Sequence, residues 1–361
     1  GFAEQSLDNR SSAGSGSMKK RALVICPGRG TYNATELGYL KTHHAARQDV
    51  IAAVDAVRGA MGQMTVSQLD GADKYTPSVH MTGDNASALI YACAMADFAA
   101  IDREKFDIVA VTGNSMGWYL ALACAGIVDL AGGARLVNNM GGIMHQHGAG
   151  GQIVWSICDD NWNIQKDKLL FINNLMIEAS IISEVSIYIS IRLGGMIVLA
   201  ADEAGLKWLM ERLPKDDRFP LRLMHHAAFH SPLLNHIVPM ARAENPLNDF
   251  GVGEIPAIDG QGRIWSPRAF NRDAIYAYTL GGQLTDSYDF TRAVQVAAAE
   301  FAPDTVIVLG PGTTLGAPIA QALIASGWRG LSSKADFQAR QQGEPILISM
   351  GMAEQRAWAL S

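Results

Sequence analysis

Residues 106–125 read FDIVAVTGNSMGWYLALACA. Phe106–Thr112 is a short run of mostly apolar residues, the length of a buried strand. It stops at Gly113, and Trp118–Ala125 continues as a helix apolar on every side. Between them Gly113-Asn114-Ser115-Met116-Gly117 matches G-x-S-x-G, the strand-to-helix turn that holds a serine hydroxyl at the top of a parallel sheet. The two glycines have a steric task there, because a Cβ beside the sharp turn would clash. The helix that follows points free N–H groups and its positive end back at the turn. The motif has a plainer reading too, a glycine-rich turn whose serine caps a helix.

Outward from this stretch the pattern repeats. Ala22–Cys26 (ALVIC) is another buried strand, stopped by Pro27-Gly28. Helices are predicted over Asp49–Met61 and Asn85–Ala100. Thr305–Leu309 is a late strand ending at Gly310-Pro311-Gly312, and Pro345–Ser349 adds one more before a short helix. Strands alternating with helices predict a parallel α/β sheet. Residues 150–223 have a different texture. IVWSI, a helix near Lys166–Glu178, EVSIYISI, MIVLAA, the helix Glu203–Arg212 and FPLRLM give β-α-β-β-α-β, the ferredoxin-like order. The expected domains are therefore an α/β core from 18–149 and 224–361, with 150–223 inserted as a small α+β subdomain. Residues 159–184 are rich in Asn and Ile, without a physical reason in the sequence.

The 361 residues carry a net charge of −6, with 48% hydrophobic and 18% charged residues. That is the profile of a globular enzyme of about two domains. The mild acidity leaves no basic footprint for nucleic acid, and no apolar run reaches the roughly 20 residues a membrane span needs. Cys26, Cys93, Cys124 and Cys158 are scattered without C-x-x-C spacing, which fits free thiols and a cytoplasmic location. GFAEQSLDNRSSAGSGS, residues 1–17, reads as an expression-vector remnant rather than a signal, since it lacks an apolar core.

A serine nucleophile needs a base within hydrogen-bond reach. Nine histidines are available. His43 and His44 lie in a polar stretch expected to be exposed, and His145 and His147 have poor spacing for a shared metal. His80 and His236 have no motif around them, and His225 and His226 precede a stronger candidate. His230 sits in Ala228-Phe229-His230-Ser231-Pro232, just after a strand-like run. A capping or core histidine remains the commoner outcome for such a residue.

PGRG at 27–30, GNSMG, AAFHSP and GPGTTL occur in the order and at about the distances of the malonyl-CoA:acyl-carrier-protein transacylase family, which includes polyketide synthase acyltransferase domains. Over about residues 20–325 the chain resembles that family. The resemblance implies an α/β-hydrolase-like core with the ferredoxin-like insert between nucleophile and base. It implies Ser115 as the acylated serine, His230 as the base, and Gln283 in orienting the imidazole. It also implies an oxyanion hole from the backbone N–H groups of Arg29 and Met116. Acyl-CoA is the implied donor and an acyl carrier protein the partner, in fatty-acid or polyketide-type synthesis. No metal or redox cofactor is expected.

The chain departs from the family at the acyl site. The usual GHSLGE is GNSMGW here, with Asn114 for His and Trp118 for Glu, and PGQG is PGRG. Met140 stands where the family's arginine grips a malonyl carboxylate, while Arg135 matches a separate arginine. Without that bidentate pair a buried carboxylate loses several kcal/mol, so the expected acyl group is uncharged. Asn114, Met140, Arg192 and Phe229 are the expected substrate contacts, with Arg192 and Arg29 as substitute cations if the acyl group is charged after all. An acyl hydrolase using the same Ser-His pair and a catalytically weak docking protein are the alternatives.

Overall fold

The computed structural model describes residues 18–361; the reading of 1–17 lies outside them. In chain order the strands are β1 (Lys20–Cys26), β2 (Phe106–Gly113), β3 (Gly151–Ser156), β4 (Ile187–Leu193), β5 (Met196–Ala201), β6 (Leu221–Arg222), β7 (Ala257–Ile258), β8 (Ile264–Trp265), β9 (Tyr288–Asp289), β10 (Thr305–Val308) and β11 (Leu347–Ser349).

Runs that are apolar at every position need cover on both faces, so they take the middle of a parallel sheet. β1 lies between β10 and β2, parallel to both, and Ala22–Cys26 are fully buried. The sheet order is β11-β10-β1-β2-β7-β8, with only β8 antiparallel to its neighbour. The helix Gly83–Ala100 packs along the helix Leu130–His147. Its sequence is apolar all round, and most of its residues are buried accordingly. Asp129 caps the helix at Leu130, its Oδ1 accepting from the Gly132 N–H at 2.6 Å.

The inserted segment forms a second sheet in the order β6-β3-β5-β4-β9. Its first four strands, with the helices Lys166–Ser180 and Glu203–Arg212, are the ferredoxin-like unit that the pattern predicted. Alternation sorts its two faces. Ile153, Trp155, Ile197 and Leu199 pack with Ile172, Leu175, Leu206 and Leu209 in a separate small core, whereas Val154, Ile191 and Val198 join the main one.

Two details differ from the sequence reading. FPLRLM forms a strand against β3 only over Leu221–Arg222, with one further bond from the Leu223 N–H to the Gln152 carbonyl; Pro220 has no N–H to offer a ladder. β9 is a two-residue strand from the core that hydrogen-bonds β4, placing Tyr288 beside Ile191. It is too short to show in any periodicity. The Ile-rich bias is half accounted for: Ile172 is core, but Ile177 and Ile181 are exposed, which nothing in the structure explains.

Candidate active site

β2 delivers the chain to Gly113, and a helix begins at Gly117. Ser115 between them has φ +57°, a left-handed conformation that costs a side-chain-bearing residue on the order of 1–3 kcal/mol. A Cβ on Gly113 would strike the Gly117 carbonyl, and one on Gly117 would strike the Cys26 carbonyl at the end of β1. The turn is tied down on several sides. The Asn114 N–H donates to the Cys26 carbonyl at 3.1 Å, and Gln283 Nε2 donates to the Ser115 carbonyl at 3.0 Å. The Tyr288 hydroxyl donates to the Gly113 carbonyl.

Ser115 Oγ lies 2.7 Å from His230 Nε2. The other ring nitrogen, Nδ1, is 2.8 Å from the backbone carbonyl of Gln283. A carbonyl only accepts, so Nδ1 carries the proton and Nε2 presents its lone pair to the serine. Gln283 therefore serves twice, its backbone oxygen orienting the imidazole and its side chain holding the serine backbone. Tyr278 fixes that side chain, donating its hydroxyl to Oε1 at 3.0 Å. His230 is 6% exposed, and burial pushes its pKa down to about 4 against the opposing pull of the Gln283 carbonyl. The imidazole is neutral at pH 7, the state a base requires.

The PGRG loop packs on the same turn: a Cβ on Gly28 would meet the Asn114 carbonyl, and Thr31 Oγ1 donates to the Gly28 carbonyl at 3.0 Å. Among the described residues, neither the Arg29 nor the Met116 N–H donates to a backbone carbonyl. Both residues line a cavity of about 60 Å³ that runs from Ser115 and His230 to Tyr119, Val137, Met140 and Leu284. Met140 is 2% exposed. Phe229 also lines it, and the Arg29 guanidinium lies 5.6 Å from the Phe229 ring centre. A larger groove of about 410 Å³ reaches Ser115 from between the two sheets, past Asn114, Val154, Ile191, Leu193 and Phe219.

The structure thus brings Ser115, His230, Gln283, Arg29, Met116, Met140, Phe229 and Asn114 to one place. Arg192 is a correction. Alternation on β4 turns Ile191 and Leu193 to the groove and Arg192 to the opposite face, in a separate pocket beside Asp289 and Arg292. Arg135 pairs with Asp249 at 3.2 Å. His44 is the second correction. It is 1% exposed, its Nε2 2.6 Å from Asp97 Oδ1 in a buried cluster with Arg356. Sequence reasoning missed Tyr278 and Tyr288, which lie near Gln283 but belong to no pattern of spacing. The Tyr288 ring sits 5.1 Å from that of His230.

No protein-family model matches the sequence, and no curated protein matches it either. Solved structures do match. The malonyl-CoA:ACP transacylase of Synechocystis sp. superposes with a TM-score of 0.69 at 17% identity, over 93% of this chain and 98% of that one. The acyltransferase domain from the second module of the salinomycin polyketide synthase gives 0.69 at 18%, over 95% and 74%. A malonyl-transacylase in complex with a type II polyketide synthase acyl-carrier protein gives 0.67 at 17%, over 95% and 99%. With its parallel core, its ferredoxin-like insert and these neighbours, the chain has the fold of the malonyl-CoA:acyl-carrier-protein transacylases.

Proposed function

We propose that the chain is an acyltransferase that moves an uncharged acyl group from a CoA or carrier-protein thioester to the phosphopantetheine thiol of an acyl carrier protein, through an acyl-serine on Ser115. The observation that carries this reading is the 2.7 Å contact between Ser115 Oγ and a neutral His230 Nε2 at a strained turn. Nε2 takes the hydroxyl proton as Oγ forms a bond to the thioester carbon. The carbonyl oxygen becomes an oxyanion facing the Arg29 and Met116 N–H groups, each such donor being worth on the order of 3 kcal/mol in the transition state. The C–S bond breaks, and the departing thiolate takes the proton back from the imidazolium. A second thiol then attacks the acyl-serine by the same steps in reverse. Every group used is a side chain or backbone N–H of this chain, and no cofactor is invoked.

Met140 supports the uncharged acyl group, because it puts a buried thioether into the cavity, while Arg29, the cation among the lining residues, lies against the Phe229 ring. The cavity is small, about 60 Å³, which favours a short acyl chain. The groove between the sheets is the route for the pantetheine arm, and the solved complex of a structural neighbour with its carrier protein supports such a protein as acceptor.

The test is to weigh the intact protein after exposure to acetyl-, malonyl- and octanoyl-CoA, beside Ser115→Ala. The expected result is acetyl loading on the wild type alone. Rapid loading by malonyl-CoA only would overturn the uncharged acyl group. Failure of every thioester to load Ser115 would overturn the acyltransferase itself. A loaded serine that persists until a thiol is added supports transfer, and spontaneous release within a turnover marks a hydrolase.

A further inference from the structure

The cavity beside Ser115 is not uniformly apolar. Tyr119, on the first turn of the helix after the nucleophile, is 5% exposed and lines it, and so does Ser87 from the helix Gly83–Ala100, also 5% exposed. Among the described residues neither side-chain hydroxyl has a hydrogen-bond partner. Elsewhere in this molecule buried tyrosine hydroxyls are bonded: Tyr32 to Asp70, Tyr39 to Asp97 and Tyr91 to the Leu130 carbonyl, all at 2.6–2.7 Å. Most buried polar groups find partners, so two that open onto one small cavity have theirs in whatever fills it. Burial also raises the Tyr119 pKa, which keeps the hydroxyl protonated and able to donate.

Resting on the acyltransferase reading, we propose that the acyl group bears a neutral hydrogen-bonding substituent, a hydroxyl or a ketone, recognised by Tyr119 and Ser87. A saturated chain of the same length would strip water from both hydroxyls and return nothing. Val137, Met140, Met144 and Leu284 add apolar walls that match a short carbon chain, and Arg29 is the cation among the lining residues. Tyr119 and Ser87 take no part in the bond changes at Ser115, so they act on which acyl group enters.

The experiment compares kcat/KM for Ser115 loading from butyryl-, 3-hydroxybutyryl-, 3-oxobutyryl- and malonyl-CoA in the wild type, Tyr119→Phe and Ser87→Ala. The wild type should prefer one of the two oxygen-bearing four-carbon donors over butyryl-CoA by about tenfold or more. Tyr119→Phe should reduce that ratio by about tenfold. The free Tyr119→Phe protein should melt at the wild-type temperature, because the hydroxyl it loses is hydrated in the open cavity, whereas a hydroxyl with a structural partner would give a lower melting temperature. A wild-type preference for butyryl- or malonyl-CoA, or a ratio untouched in both variants, overturns the proposal while leaving the acyltransferase standing. If no donor loads Ser115, both fall together.

Discussion

At the scale of single residues, the imidazole of His230 sets the pH behaviour. Its pKa is lowered from 6.5 to about 4 by burial, and only the neutral form can take the serine proton. Acylation should therefore hold nearly level as the pH falls from 7.5 to about 5 and fail through about 4; a midpoint near 6.5 in a pH–rate profile would contradict the buried geometry. Stability responds over the same window. The unfolded chain protonates this ring near 6.5 while the folded one resists until about 4, so the unfolded state binds more protons between those values and stability falls as acid is added. Met140 sets the second residue-scale prediction. Met140→Arg should bring a cation to the cavity and raise malonyl loading by tenfold or more. It should also lower the melting temperature of the empty protein, since the new guanidinium lacks a partner until substrate arrives. Intact mass and thermal melting read the two effects separately.

At the scale of elements, the turn at Ser115 depends on β1 as much as on its own strand. Gly117→Ala drives a methyl into the Cys26 carbonyl and must push the helix start away from β1. A displacement near 1 Å costs about a hundredfold in rate, so labelling of Ser115 by a fluorophosphonate should slow by at least that factor. The turn was legible in the sequence because its strand, its glycines and its helix are contiguous and each obeys a short-range rule. The β-α-β-β-α-β insert was legible for the same reason, every element except its two-residue last strand being long enough to show its period. Arg192 was misplaced because a motif alignment fixes position along the chain, whereas the face of a strand is fixed by pairing, and β4 carries a register shift between Ile189 and Ile191. His44 looked exposed because its neighbours are polar, and its partners Asp97 and Arg356 are 53 and 312 residues away. Contacts at such separation leave no local signal.

At the scale of the whole molecule, Asp97 is the knot. It is fully buried and accepts from the Tyr39 hydroxyl, His44, Arg356 and the Gly310 N–H, so it joins the N-terminal third, the tail and the loop after β10. Asp97→Ala should cost about 3–5 kcal/mol, because it strands the Arg356 charge among buried groups. That corresponds to a melting point lower by roughly 10 °C, measured by calorimetry, with Ser115 loading intact at low temperature. The joint between the two sheets has a different consequence. Tyr288 pairs with Ile191 on the small sheet, bonds Gly113 of the large one, and lies against the His230 ring. One side chain thus ties the two sheets together and backs the His230 imidazole. A shift of the small sheet against the large one would therefore reach the imidazole through this ring.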